Sequence, residues 1–155
     1  MQGYTRDTIK EDINILASTL RPSDIAEITS ASGLSVEMAL EVGRQGDVCK
    51  TICTSEGTPV AIFGSNPSDI DGLGSVWMVA TTAFNKVHRQ FLKECREGVK
   101  ELSKGYKALF NYTDARNTVH HRWLKWCGFV FINKHENYGV NGETFIEFVR
   151  ISEDK

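Results

Sequence analysis

Few side chains in this sequence can do chemistry, and most of them lie in its second half. The stretch DARNTVHHRWLKWCGF, Asp114 to Phe129, carries Asn117, His120 and His121 on what its spacing predicts to be a helix. Histidine titrates nearest neutrality, so it is the first candidate for moving a proton. Adjacent residues on a helix point about 100° apart, so the two histidines cannot share one ligand. One of them, with His121 as the candidate, is expected beside the middle strand, and the bland alternative is a pair of solvated surface histidines. Asn117 can hydrogen-bond a ligand or cap the first turn of its helix. The polar groups of the preceding strand, Thr81 and Thr82, are not bases at neutral pH, and no Asp or Glu occurs between Val76 and Phe84. Asp69 and Asp71, beside Asn66-Pro67-Ser68, read as turn chemistry. Cys49, Cys53, Cys95 and Cys127 form no CxxC pair and no zinc-type spacing, so reduced buried thiols are expected and no metal.

The elements that would position these groups follow from periodicity. Ile9, Ile13, Leu16 and Leu20 form one stripe of a helix over Thr5 to Leu20, stopped at Arg21-Pro22. Ser35 caps a second helix that turns Met38, Ala39 and Val42 inward. DVCKTICTS, PVAIFGS and GSVWMVATT read as three strands of an antiparallel meander. Asn85 to Lys104 is the longest helix, with Val87, Phe91, Cys95, Val99 and Leu102 on one face and Gly105 ending it. YKALFNYT is a strand. The Asp114 to Phe129 stretch then gives a helix with Val119, Trp123 and Trp126 inward and Gly128 as its stop. FVFINKH and ETFIEFVRI close the chain as a hairpin around ENYGVNG. The order α α β β β α β α β β places a parallel strand pair around the long helix and antiparallel pairs elsewhere. The expected class is α+β: a mixed, mostly antiparallel sheet flanked by about four helices, with a central strand–helix–parallel strand unit, in a single domain over 1–155 with its core at 5–151.

Bulk composition narrows the function classes. The 155 residues are 41% hydrophobic and 25% charged, which suits one globular domain. No apolar run could span a membrane, and the N-terminus has neither a signal core nor a lipidation pattern, so a cytosolic location is expected. Charge is unevenly placed: residues 1–85 hold five Lys/Arg against eleven Asp/Glu, residues 86–134 hold eleven against four, and the remainder two against five. Lys86, Lys93, Arg96, Lys100 and Lys104 line the polar side of the long helix, with Glu94, Glu97 and Glu101 interleaved. A solvated face is the default for such a run; an acidic protein partner or a nucleic acid comes next. Trp77, Trp123 and Trp126 read as core or rim aromatics rather than a stacking platform.

The element order, together with Asn117, Trp123 six residues on, and Gly128-Phe129 eleven and twelve on, resembles the GCN5-related N-acetyltransferase (GNAT) superfamily over roughly residues 5–151. The resemblance implies acetyl-CoA as cofactor, with pantetheine paired to the middle-strand backbone from Met78 to Thr81 and a pyrophosphate held on a glycine-rich loop before the long helix. It thus marks Met78, Val79, Thr81, Lys86, His88, Arg89 and Asn117 as cofactor-binding candidates and Asn117 and His121 as catalytic ones. Two departures stand out. The place where the superfamily carries a tyrosine that protonates the departing thiolate is Leu124, which has no proton to give. The junction VATTAFNKVHRQF has no glycine between Gly74 and Gly98, and Phe84 and Val87 stand where a phosphate needs close backbone approach.

The run from Val76 to Phe131 also resembles the small GNAT-fold proteins of autographivirus-type podophages, described as internal virion or virion-associated proteins. The shared features are a Trp-containing middle strand, a basic helix without the glycine loop, an NY strand and the Asn117, Trp123-Leu124-Lys125, Gly128 helix. This resemblance implies a phage-encoded, virion-associated or host-interaction component with a degenerate acetyl-CoA site, weak or absent acetyl-CoA binding, and a virion or host protein as partner in preference to nucleic acid. Its expected place is the infected bacterial host's cytoplasm, or the virion. The alternatives are an active acetyl-CoA-dependent N-acetyltransferase that moves its protons through water, and a nucleic-acid-binding module.

Overall fold

The structure, a computed structural model, describes residues 3–46 and 48–152; Asp47, at the head of DVCKTICTS, and the residues beyond either limit lie outside it. Among the described residues seven strands form one sheet in the order β1-β2-β3-β4-β5-β7-β6. They are β1 Gly3–Asp7, β2 Val48–Thr54, β3 Pro59–Pro67, β4 Leu73–Ala80, β5 Ala108–Asp114, β6 Val130–His135 and β7 Phe145–Ile151. Five helices among the described residues flank it: α1 Lys10–Ala17, α2 Pro22–Ser32, α3 Val36–Arg44, α4 His88–Ser103 and α5 Thr118–Trp126. Every neighbouring strand pair is antiparallel except β4 and β5, which run parallel around α4. The fold is thus the expected mixed α+β sheet with a central parallel unit.

Alternation along the strands divides the core between the two faces. Ile62 and Val79 pack with Ile13, Leu16, Leu20 and Leu40 of the N-terminal helices. Val76, Leu109 and Phe148 pack with Cys95, Val99, Leu102, Leu124 and Cys127 on the other face, under α4 and α5. Beside them, Phe84 is 1% exposed and meets Trp123 and Phe91 edge-on, with ring centroids 4.8 and 5.3 Å apart.

The N-terminal fifth departs from the periodic reading. Residues 3–7 are a strand, and α1 begins only at Lys10, so Ile9 sits at its N-cap, exposed. What fixes this is polar. Asp12 accepts two bonds from the Arg6 guanidinium at 2.7 and 2.8 Å, one from Ile9 N–H and one from Thr51 Oγ1. Pro22 starts α2 instead of merely stopping α1: its fixed φ and missing N–H suit the first helical position. Gly33, at φ 70°, ends that helix. In α3, Ser35 caps as expected, but Met38 and Val42 are exposed and Leu40 is the buried residue. In α5 the buried set is His120, Leu124 and Cys127, one residue round from the expected Val119, Trp123 and Trp126. Trp126 lies outward because its Nε1–H reaches across to the Leu92 carbonyl of α4 at 2.7 Å.

Candidate functional site

β4 and β5 pair only from Leu73–Ser75 to Ala108–Phe110 and then diverge. Just beyond the pairing, Asn111 Nδ2 donates to Val76 O at 2.8 Å. The strand edge past that point is where main-chain groups can meet a ligand. Alternation puts the N–H and C=O of Met78 and Ala80 on this open edge, since Ala80 uses neither toward β3. The Ala80 pair is engaged from within the chain. Ala80 C=O accepts from Arg21 N–H at 3.0 Å, and Ala80 N–H donates to Asp24 Oδ2 at 2.8 Å. Leu20 forms an isolated antiparallel bridge with Thr81. The linker between α1 and α2 therefore runs along the last residues of β4 as a short extra strand.

Asp24 organises this junction. Its carboxylate, fully buried, takes the Arg21 guanidinium at 2.8 Å, Ala80 N–H, and Asn117 Nδ2 at 3.1 Å. The Arg21 guanidinium in turn lies 4.5 Å over the Trp123 ring. Asn117 stands at the N-cap of α5, but its side chain does not cap: it turns inward to Asp24, and its buried Oδ1 has no partner among the described residues.

One turn further along α5, His120 is buried against α2. Its Nδ1 lies 3.3 Å from Glu27 Oε2, and Glu27 Oε1 accepts from Thr113 Oγ1 at 2.7 Å and from Asp114 N–H at 2.6 Å. Burial by itself raises a carboxyl and lowers an imidazole. Here the mutual attraction wins: His120 and the two donors hold the Glu27 carboxyl below the usual range, and Glu27, helped by Asp24, raises the His120 imidazole. Both shifts favour the ionised form of the pair. Nδ1 is committed to Glu27 and Thr113, and among the described residues Nε2 makes no hydrogen bond.

His120 and Met78 line two cavities, one on each side of the sheet. The cavity under α4 and α5 has about 500 Å³ and is mostly apolar, walled by Phe63, Phe91, Trp123 and Leu124. The one toward α2 and α3 has about 260 Å³ and is lined by Glu27, Trp77, Asn111 and Tyr112 among others. His120, expected on a solvated surface, is therefore the histidine at the divergence of the strands. His121, the catalytic candidate, points elsewhere: Nε2 lies 2.9 Å from Asp114 O, the ring meets Phe131 edge-on, and burial lowers its pKa.

The other candidates are scattered. Val79 lines only the α2/α3 cavity, and Thr81 is buried with Oγ1 on Val60 O. Lys86, His88 and Arg89 line neither cavity. The junction before α4 is a 3-10 turn over Thr82–Lys86, with Phe84 and Val87 buried beneath it and His88 Nδ1 2.8 Å from Asn85 O. Sequence reasoning missed Arg21, Asp24, Glu27 and Thr113. A helix started at Pro22 would have shown Asp24 and Glu27 three residues apart on one face. Among the described residues no group of three or more His, Cys, Asp or Glu could hold a metal, and no helix is long and apolar enough to cross a membrane.

Comparison with known proteins gives three findings. A family model described as "Bacteriophage T7, probable scaffold protein Gp13" matches residues 49–136. No curated protein matches the chain. Among solved structures, a GNAT-family acetyltransferase from Streptococcus pneumoniae superposes with a TM-score of 0.66 at 14% identity, covering 97% of this chain and 99% of its own. Ard1 from Thermoplasma volcanium gives 0.66 at 17%, covering 99% and 100%. Ribosomal-protein-alanine N-acetyltransferase from Brucella melitensis gives 0.69 at 16%, covering 96% and 99%. At these identities the likeness establishes the fold: the chain has the GNAT architecture.

Proposed function

The chain belongs to the bacteriophage T7 probable scaffold protein Gp13 family, and from that premise we propose that it is a phage-encoded, virion-associated or host-interaction protein whose GNAT fold no longer serves acetyl-CoA. The observation that carries this reading is the occupied end of β4. Acetyl-CoA, in the fold's usual use, pairs its pantetheine amides with this strand. Here Ala80 N–H is bonded to the Asp24 carboxylate and Ala80 C=O to Arg21 N–H. Uncovering them would leave a fully buried carboxylate short of a donor, which costs a few kcal/mol, roughly 1–3 for an unsatisfied buried group. Two further features point the same way. Phe84 and Val87 fill the turn before α4, where phosphates need glycine-like approach, and Leu124 offers no proton. The residues present do not fit the cofactor.

Isothermal titration with acetyl-CoA is the direct test. The expected result is no saturable heat at micromolar concentrations; a 1:1 isotherm with micromolar affinity would overturn the reading. Mass spectrometry of purified virions tests the other half, since a virion component is recovered at stoichiometric abundance and a host-interaction protein only from infected cells. An autographivirus-type source, and the infected cell's cytoplasm as the place of action, belong to the same proposal.

A second reading, an active acetyl-CoA-dependent N-acetyltransferase, has one observation in its favour. His120, oriented by Glu27 and with Nε2 open, is a proton donor or acceptor where the strands part. Acetylation of an amine that disappears in His120→Gln, together with acetyl-CoA binding, would promote it.

A further inference from the structure

The long helix carries a charge arrangement that the fold does not use. Arg89, Lys93, Arg96 and Lys100 follow one another at spacings of four, three and four residues. At 100° per residue they fall within an arc of about 60°. Glu94, Glu97 and Glu101 form a second row centred about 100° away. The rows face different neighbours. The acidic one turns toward the sheet edge, where Glu94 meets Gln90 and Glu101 lies 4.0 Å from Lys50. The cationic one turns toward α5, where Arg96 Nε donates to Trp126 O at 3.3 Å and the guanidinium lies 5.7 Å over the Trp126 ring. The sequence interleaves these charges; the folded helix gathers them into two rows, joined by the Lys100–Glu97 pair.

Little neutralises the cationic row. Among the described residues Lys100 is its one member in an ion pair, with Glu97 at 3.4 Å, and both side chains are largely exposed. Arg122 continues the row on α5. It lies four residues before Trp126 and so shares its side of that helix, and among the described residues no ion pair holds it. Like charges three and four residues apart disfavour a helix. The first turn of α4 also has no acidic residue, so Arg89 faces the positive end of the helix dipole. Beyond the contacts of Arg96 with Trp126 and of Lys100 with Glu97, the isolated chain gains little from this arrangement. Beside the cations, the Trp126 ring is half exposed and clamped between the helices, giving an aromatic anchor on a rigid platform.

We propose that the α4–α5 ridge of Arg89, Lys93, Arg96 and Arg122, with Trp126 beside it, docks an acidic helical segment of a protein partner. The inference deepens the virion or host-interaction reading and rests on it. Charge complementarity supplies the occupant's sign, and the width of the row supplies its shape. A helix with glutamates three and four residues apart matches the cations at one turn's rise per charge and packs at 8–10 Å. A nucleic-acid duplex is wider and would bring its second phosphate row against Glu94, Glu97 and Glu101, which repel it.

The test uses the full chain and three labelled probes in anisotropy titrations at low salt. These are a synthetic amphipathic helical peptide with glutamates at that spacing, a scrambled peptide of equal composition, and a double-stranded oligonucleotide. The ordered peptide is expected to bind at least tenfold more tightly than either of the others and to change Trp fluorescence. Arg89→Glu with Lys93→Glu should weaken it at least tenfold, and Trp126→Ala severalfold. Lys10→Glu with Lys134→Glu, which changes net charge equally away from the ridge, should leave it within twofold. Equal binding of the scrambled peptide, tighter binding of the oligonucleotide, or equal losses in both double variants would each overturn the proposal. Acetyl-CoA titration and virion mass spectrometry are independent of this result, so failure here and failure of the broader reading are told apart.

Discussion

The α2 junction and the α4–α5 ridge are both rich in charge, and they treat it in opposite ways. At the junction every charge has a specific counterpart: Arg21 with Asp24, Glu27 with His120, and the spare oxygens with Ala80 N–H, Thr113, Asp114 N–H and Asn117. On the ridge Arg89, Lys93 and Arg122 have none among the described residues. Desolvation explains the first case, because a buried unmatched ion costs several kcal/mol. Water permits the second but does not require it. Paired charges inside report on how the fold closes; unpaired charges outside have to be explained by what comes to meet them.

The contrast breaks first at Asp24. Asp24→Ala removes the acceptor of Arg21, Ala80 N–H and Asn117 at once, and the expected loss is about 3–5 kcal/mol in urea unfolding. The same variant frees Ala80 N–H. If the junction alone excludes acetyl-CoA, binding should rise in whatever fraction stays folded; a loss under about 1 kcal/mol would mean the junction is not the closure it looks like.

Next is Glu27→Gln, which keeps the shape and removes the charge. The expected loss is about 1–3 kcal/mol near neutrality, and its pH dependence carries the sign. The Glu27 carboxyl is held below its ordinary value, so its contribution is full above that value and fades as pH falls through the lowered one. The His120 imidazole is raised, so its contribution is full below the ordinary imidazole value and fades as pH rises through the raised one. Wild type should therefore exceed the variant most between about pH 5 and 6.5, with the gap narrowing on both sides. A gap that is flat with pH would show the pair is not ionised.

Helix α5 ties the two regions together, with Asn117 and His120 near one end and Trp126 at the other, and Gly128 stops it. Gly128 has φ 96°, its N–H bonds Lys125 O, and Phe129 N–H returns to Leu124 O. A Cβ there would also sit 3.3 Å from Arg150 Nε. Gly128→Ala should cost about 1–2 kcal/mol, read as a lower melting temperature. An unchanged value would mean the turn can relax without the left-handed angle.

These sites differ in how far the sequence exposed them. The meander, the long helix and the final hairpin were legible because each has an apolar stripe or alternation with turn residues at its ends. Gly128 was legible because a glycine after a helix has one common reason to be there. β1 was not: GYTRD carries no apolar stripe and is held by ladder bonds and by Arg6 on Asp12. α2 was hidden by reading Pro22 as a stop instead of a first residue, and Asp24 and Glu27 went with it. His120 was legible as a histidine on a helix, but burial is decided by the partner, and its partner sits on the helix that was missed. The separation of charge on α4 was present in the spacing, yet which neighbour each row faces depends on α5 and β2.

The smallest effect is the sharpest on the ridge, because it should have the opposite sign. Arg89→Gln removes a cation from the first turn of α4, where the helix dipole disfavours it, and from the reach of Lys86 and Lys93. Each of these terms is a few tenths of a kcal/mol, and no ion pair among the described residues is lost in exchange. The variant should therefore be more stable than wild type by about 0.3–0.8 kcal/mol at low salt. Raising the salt toward 1 M shortens the screening length to about 3 Å, so the gain should shrink toward zero. Salt-independent stabilisation would point to side-chain propensity instead of repulsion. A destabilised variant would mean Arg89 has a counterpart within the chain, and the ridge would then belong with the junction, as charge the fold itself requires.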